Sequence, residues 1–245
     1  MKSYSLTDVG VVRKVNQDYV YTSDKPVGHL PNLFVVADGM GGHRAGDYAS
    51  KYTVEVLERE LKRSDEEDVE RALIQAVKVA NHELIREAGT DEHLKGMGTT
   101  IVVATIINQM MYFANVGDSR LYLINQGILQ LTKDPSLVEE MVRLGKLTKE
   151  EGRNHPDKNI ITRAIGAEET VTVDCFEEKT GIRDVILLCS DGLTNMVSNE
   201  QIQQIIKTEK SLQKTAESLV DTANRNGGRD NITVLLISRK SNEVK

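Results

Sequence analysis

Residues 34–43 read FVVADGMGGH, and the reading of this stretch governs the reading of the whole chain. Phe34, Val35, Val36 and Ala37 run without a polar break into Asp38, and Gly39, Met40, Gly41, Gly42 and His43 follow. A short apolar run bounded by turn residues suggests a strand buried on both faces. Asp-Gly is a common turn pair, so Asp38 has a purely structural explanation. A carboxylate delivered to the end of a buried strand, beside nearly bare backbone, is also a good place to hold an ion.

Working outward, further strands are expected at 100–107 (TIVVATII), 110–116 (MMYFANV), 120–124 (RLYLI), 185–190 (VILLCS) and 232–238 (ITVLLIS), with the opening strand at 33–37. The connections NQ and GDS are tight enough to predict antiparallel hairpins. Helical spacing of apolar residues covers 45–62, 65–88, 199–207 and 212–225. Ser64 with Glu67 reads as a capping box, as does Ser198 with Gln201, and Gly89 reads as a terminator. Hairpins with two pairs of amphipathic helices argue for an α+β fold, with helices on the outside of a central sheet or pair of sheets. With four Pro and no linker or repeat, residues 1–245 read as one domain. The irregular, polar segment 132–166 reads either as a functional flap or as a solvated connector.

The chain has 245 residues, 39% apolar and 28% charged, an ordinary balance for a soluble globular protein. Folding at this length removes roughly 70–75% of the unfolded surface from water, so no staples are needed. A net charge of −6 without a basic stripe argues against nucleic acid and against an anionic membrane surface. The absence of Trp and the presence of only three Phe argue against a base-stacking platform. Cys175 and Cys189 are isolated, which removes zinc spacings and fits a reducing, cytoplasmic location. The first residues lack the apolar core of a signal peptide, and the longest apolar run, 101–107, is too short to span a bilayer.

Asp38, Asp118 (in VGDSR), Asp191 (in CSDG) and Asp230 (in GGRDN) all lie at expected strand ends or turns. Any one of them is explained by the turn preference of Asp. As a set, carboxylates without a His or Cys cluster favour hard ions such as Mg²⁺ or Mn²⁺. Two such ions sharing a carboxylate would lower the pKa of a water between them and neutralise a phosphate, which points to phosphate ester hydrolysis. Gly39 would let its carbonyl approach an ion. Arg13 can grip phosphate oxygens in a fork, although a lone Arg is more often a surface residue. Asn16 and Asp18 read either as a turn or as support for the metals.

The stretches RKVNQD (13–18), VVADGMGGHRAG (35–46), GMGTT (96–100), ANVGDSRLY (114–122), HPDKNIITRAIG (155–166), LLCSDGLTNM (187–196) and GGRDNITV (227–234) together make the chain similar to the bacterial type 2C, metal-dependent (PPM family) serine/threonine protein phosphatases. The resemblance implies a four-layer α-β-β-α sandwich, two antiparallel sheets flanked by helix pairs. It implies that Asp38 bridges two Mn²⁺ or Mg²⁺ ions, that Gly39 adds its carbonyl, and that Asp191 and Asp230 complete the pair. It further implies that Asp118 helps hold a third, weaker ion, that Arg13 grips the phosphate, that Asp18 lies near the metals, and that 132–166 is the flap. Phosphoserine and phosphothreonine proteins are the implied substrates, attacked by a metal-bound hydroxide. A membrane-anchored serine/threonine kinase is the implied partner, and a monomer is expected. The chain departs from the family pattern at three places. Gln17 stands where many eukaryotic members have Glu, Met40 where they place a His, and Pro135 where bacterial members usually read His. With Met40 unable to donate a proton, His43 or a metal-bound water is the candidate general acid.

Rival readings fare worse. A binding module that has lost its chemistry should lack the metal carboxylates, and they are present. A nucleotide enzyme should show GxxxxGK[ST], GxGxxG or a kinase signature, and none occurs. Neither cysteine begins a CxxxxxR loop.

Overall fold

The computed structural model describes residues 1–41, 45–135, 138, 141–142, 144–148, 150–151 and 162–239. In chain order the elements are β1 (Lys2–Asp8), β2 (Asp18–Ser23), β3 (Leu33–Met40), α1 (Ala45–Arg63), α2 (Val69–Ala88), β4 (Gly98–Thr99), β5 (Ile101–Ile107), β6 (Met110–Val116), β7 (Arg120–Ile124), β8 (Ile128–Gln130), β9 (Asp174–Lys179), β10 (Val185–Cys189), α3 (Asp191–Thr194), α4 (Asn199–Thr208), α5 (Leu212–Arg225) and β11 (Ile232–Ser238).

The alternation of side chains along β3 sorts them into two cores. Leu33, Val35 and Ala37 pack with Ala49, Leu57, Leu73 and Leu84 of α1 and α2. Phe34 and Val36 point the other way, toward Ile186, Leu188, Leu235 and Ile237 of β10 and β11. Those two strands alternate in turn, and Leu187, Val234 and Leu236 meet Ile202, Ala216 and Leu219 of α4 and α5. One sheet runs β1-β11-β10-β7-β8 and the other β2-β3-β5-β6-β9, with β4 beside β3. All of these pairings are antiparallel. The result is the four-layer α-β-β-α sandwich. It explains why antiparallel strands here are apolar almost throughout, a pattern more usual in parallel sheets: a helix layer covers one face of each sheet and the other sheet covers its second face. Among the described residues, no helix is long and apolar enough to cross a membrane.

Three expectations need correction. The GDS connection is not a hairpin, because β6 belongs to one sheet and β7 to the other. Residues 117–119 therefore carry the chain across the sandwich, while NQ does close a hairpin between β5 and β6. Helix α2 begins at Val69, capped by Asp68, whose side chain accepts from Arg71 N at 3.0 Å. Asp caps as well as Ser and here directly precedes the apolar periodicity, whereas Ser64 Oγ accepts from Glu66 N in a local turn. Finally, β3 does not stop before Asp38. It continues to Met40, because Asp38 pairs with Asp18 of β2, and Gly39 and Met40 pair with β4.

Replacing Phe34, fully buried between the sheets, by Ala is expected to lower the unfolding free energy by about 3–5 kcal/mol. Leu129→Ala on β8, where the side chain is 55% exposed, is expected to change it by no more than about 0.5 kcal/mol. Urea denaturation followed by circular dichroism measures both.

Candidate metal centre

The register of β2 and β3 sets Asp18 directly opposite Asp38. Like charges facing each other across an antiparallel pair are destabilising, and Asp18 is only 8% exposed. The surrounding hydrogen bonds hold the two carboxyls there. The Asp38 amide donates to Thr100 Oγ1 at 3.0 Å, and its carbonyl accepts from Thr100 N at 2.8 Å and Thr99 Oγ1 at 2.9 Å. Thr100 Oγ1 lies 2.6 Å from Ser119 Oγ, which ties the crossover bearing Asp118 to the strand bearing Asp38. Asp18 Oδ2 accepts from Ser190 Oγ at 2.7 Å. Ser190 directly follows β10 of the other sheet and is bonded both ways to Thr233 of β11.

The residue after Ser190 is Asp191, the first of α3. Asn195, one turn on, donates to Asp191 Oδ2 at 2.9 Å. Asp230 accepts from Arg13 Nη2 at 2.7 Å and from Asn231 N at 2.9 Å. The Asn231 side chain then staples the N-terminal loop, accepting from Gln17 N and donating to Val9 O and Val15 O. Asp18, Asp38, Asp118, Asp191 and Asp230 thus arrive from both sheets at one end of the sandwich. Beside them lies a cleft of 460 Å³ lined by Arg13, Asp191, Gly192, Asn195, Met196, Arg229 and Asp230.

The carboxyls perturb one another. Burial, and then the charges of Asp18, Asp191, Asp118 and Asp230, hold the Asp38 carboxyl well above the usual range. Burial pushes Asp18 up to about 7 against the hydrogen bonds from Thr233 and Ser190, with Asp191 and Asp230 adding to the rise. Burial and the charge of Asp191 push Asp118 up to about 7. Asp191 is raised by burial and by Asp230. Oδ1 of Asp18 and Oδ1 of Asp191 are buried without a hydrogen-bond partner. Oxygen-only donors, mutual repulsion and two unmet buried oxygens fit a hard divalent cation. Among the described residues, no three Asp, Glu, His or Cys side chains are already drawn into a closed metal shell; the carboxyls surround the space as neighbours.

Other expected residues fall as follows. A Cβ on Gly39 would overlap the Gly46 carbonyl of α1 and press on Gln17 O, so bare backbone here first of all seats the helix on the strand. Gln17 donates its side-chain amide to Gly41 O at 3.3 Å and so braces the start of the glycine loop. Asn16 is the turn residue, with Oδ1 accepting from Asp18 N and Nδ2 donating to Thr7 Oγ1. Arg13 and Asp230 are 50% and 35% exposed, and an ion pair that open to water contributes at most about 1 kcal/mol. Arg13 is therefore held loosely enough to change partners. Met40 is the half-buried last residue of β3. His43 lies outside the described residues, as does most of the 132–166 segment. At the root of that segment, the carbonyl of Pro135 accepts from Thr162 N and Oγ1, both at 2.6 Å. Just before it, Asp134 is clamped by Arg120 at 2.6 Å.

Sequence reasoning missed Thr100, Ser119, Ser190, Asn195 and Asn231, which position the carboxyls. Only Asn195 left a signal, since it follows Asp191 by one helical turn.

A carboxyl whose pKa rises on folding contributes stability below its unfolded pKa, and that contribution is lost as pH rises through the folded value. For Asp18 the window runs from the ordinary carboxyl value of 3.8 to about 7. Metal-free Asp18→Asn is therefore expected to match the unsubstituted chain near pH 4 and to exceed it above pH 7 by about 2–4 °C in Tm, the shift that about 1 kcal/mol gives at this size. Thermal melts across that range in the presence of a chelator test it.

Residues 25–232 match the family model described as Protein phosphatase 2C. The chain is 42% identical over 242 residues to the serine/threonine phosphatase stp of Listeria monocytogenes, covering 95% of this chain and 94% of that one. It is 40% identical over 244 residues to protein phosphatase PhpP of Streptococcus pneumoniae, covering 98% of each. Among solved structures it resembles serine/threonine phosphatase Stp1 of Staphylococcus aureus, with a TM-score of 0.89 at 34% identity over 98% and 95% of the chains. It also resembles the catalytic domain of the serine threonine protein phosphatase PstP in complex with two manganese ions, with a TM-score of 0.81 at 32% identity over 96% of each.

Proposed function

The chain belongs to the protein phosphatase 2C family and is a protein serine/threonine phosphatase, and from that premise we propose that its carboxylate cluster is a binuclear Mn²⁺ or Mg²⁺ centre. The observation carrying this reading is the convergence of Asp18, Asp38, Asp118, Asp191 and Asp230 at one sandwich end, each of the first four raised by burial and by its neighbours. Asp38, the Gly39 carbonyl, Asp191 and Asp230 would hold the two ions. Asp118 would help hold a third, weaker ion. The manganese in the similar PstP catalytic domain supports the choice of ion.

When bound, the ions supply charge for the phosphate oxygens and bring a water's pKa toward neutrality. The rest is the work of this chain. Arg13 leaves Asp230 and holds two phosphate oxygens in its fork. Asp18, fixed by Ser190, sets its carboxyl opposite Asp38 at the edge of the ion-binding group. Asn195 holds Asp191 in one orientation. His43 gives the proton to the departing serine or threonine oxygen; its support is its place in the chain, close after Asp38, where Met40 has no proton to give. The chain acts as one catalytic domain over 1–245, a reading supported by β1 pairing with β11 along its whole length, with 132–166 as its flap. The substrate class requires a serine/threonine kinase upstream. Two unpaired thiols, Cys175 and Cys189, support a reducing, cytoplasmic setting.

Asp38→Ala and Asp191→Ala are each expected to lower Mn²⁺-dependent hydrolysis of a phosphothreonine peptide by at least about 10²–10³-fold, and to weaken Mn²⁺ binding seen by calorimetry. Full activity in either variant would falsify the assignment. His43→Gln should slow hydrolysis of an alkyl phosphate far more than that of p-nitrophenyl phosphate, whose leaving group needs no proton; equal slowing of both removes His43 from that role.

A further inference from the structure

Among the described residues, two arginines line the cleft, and they are engaged differently. Arg13 is paired with Asp230 at 2.7 Å. Arg229 is exposed and, among the described residues, has no hydrogen-bond or ion-pair partner. The two sit on one rigid frame. Val11 N and Val12 N both donate to the Gly228 carbonyl, at 2.8 and 3.1 Å. Gly228 has φ +49°, and a Cβ there would press on Asn224 Oδ1 and on Val11, so only glycine lets the two segments close this tightly. Arg229 is thereby held beside Arg13 on the cleft wall.

The field around it is acidic. The carboxyls of Asp18, Asp38, Asp118, Asp191 and Asp230 gather next to the cleft, and the whole chain carries −6. Ions held by these carboxyls would offset their charge at the reacting phosphate, but a second negative group on the substrate, away from the ions, still meets a net-acidic chain unless a local cation faces it. Among the described residues, Arg229 is the cleft-lining cation not already paired. Its planar fork accepts a carboxylate or a phosphate equally well.

We infer that Arg229 is a specificity-determining residue that binds an anionic group next to the phosphorylated residue of the substrate, an inference that rests on the phosphatase reading. The anion is an acidic side chain or a second phosphate. In either case the contact is exposed, contributes to binding more than to chemistry, and weakens with salt.

The test uses the full chain with Mn²⁺ and three phosphothreonine peptides that differ at one flanking position: Ala, Glu, or a phosphonate the enzyme cannot cleave. The readout is the ratio of kcat/KM for each anionic peptide over the neutral one, which cancels any general loss of activity. The unsubstituted chain is expected to prefer an anionic peptide by about fivefold, roughly 1 kcal/mol, expressed in KM. Arg229→Ala should bring the ratio to about one, Arg229→Lys should keep part of it, and raising salt from about 0.05 to 0.5 M should shrink it. Preference for the Glu peptide alone, or for the phosphonate alone, supports the inference and identifies the source of the anion. No preference in the unsubstituted chain, or the same ratio in Arg229→Ala, overturns it and leaves the phosphatase reading standing. Inactivity of the unsubstituted chain on all three peptides overturns that reading and the inference together.

Discussion

The arrangement on which the rest of the site depends is the like-charge pair Asp18 and Asp38, set opposite each other by the register of β2 and β3. Left to themselves, two buried carboxylates at this spacing would slip the register or take up protons. Ser190 holds one of them from the opposite sheet, and Thr99 and Thr100 hold the backbone of the other. The register is thus retained with both carboxyls raised above their ordinary range, and the free energy this costs is offset by the packing around them. A site kept in this state is ready for cations, because their arrival relieves a strain that the fold has already accepted.

That packing comes from the double burial of each central strand. Phe34 and Val36 lock the sheets to each other, while Leu33, Val35 and Ala37 lock one sheet to its helices. A strand gripped on both faces has little freedom to slide, and its carboxyl is therefore delivered to a defined height at the sandwich end. The same rigidity reaches the cleft wall. Asn231 ties the N-terminal loop to the start of β11, and the Gly228 carbonyl ties Val11 and Val12 to the turn before it. The backbone that carries Arg13 and Arg229 is in this way fixed by groups with no chemistry of their own, while their side chains stay free to move.

How much of this was legible differs by position in the sheets. The expected strands became β3, β5, β6, β7, β10 and β11, all interior to their sheets, because burial on both faces leaves an unbroken apolar run. The strands that escaped notice, β1, β2, β8 and β9, are the sheet edges, and the remaining one, β4, is two residues long. Edge strands bury less, and sequences such as KSYSLTD and DCFEEK look like loops. The crossover at 117–119 was hidden for another reason: a tight turn within a sheet and a short corner between sheets have the same length and the same Gly-Asp composition. Asp18 stood in a turn-like context and showed its burial only once β2 was placed beside β3.

By itself the sequence determined the four long helices apart from the start of α2, the interior strands and the identity of the acidic residues, because periodicity and apolar runs are local properties of the chain; the short α3 left no such pattern. The family resemblance of its short motifs singled out Asp38, Asp118, Asp191 and Asp230 as a set. The tertiary structure alone decided that Asp18 faces Asp38, that Ser190 reaches across from the other sheet's end to hold it, that Gly39 is bare because Gly46 packs against it, and that, among the described residues, Arg13 is paired while Arg229 is not. These are relations between residues far apart in the chain. Their energies depend on register, burial and the local field, and none of these exists until the two sheets have closed on each other.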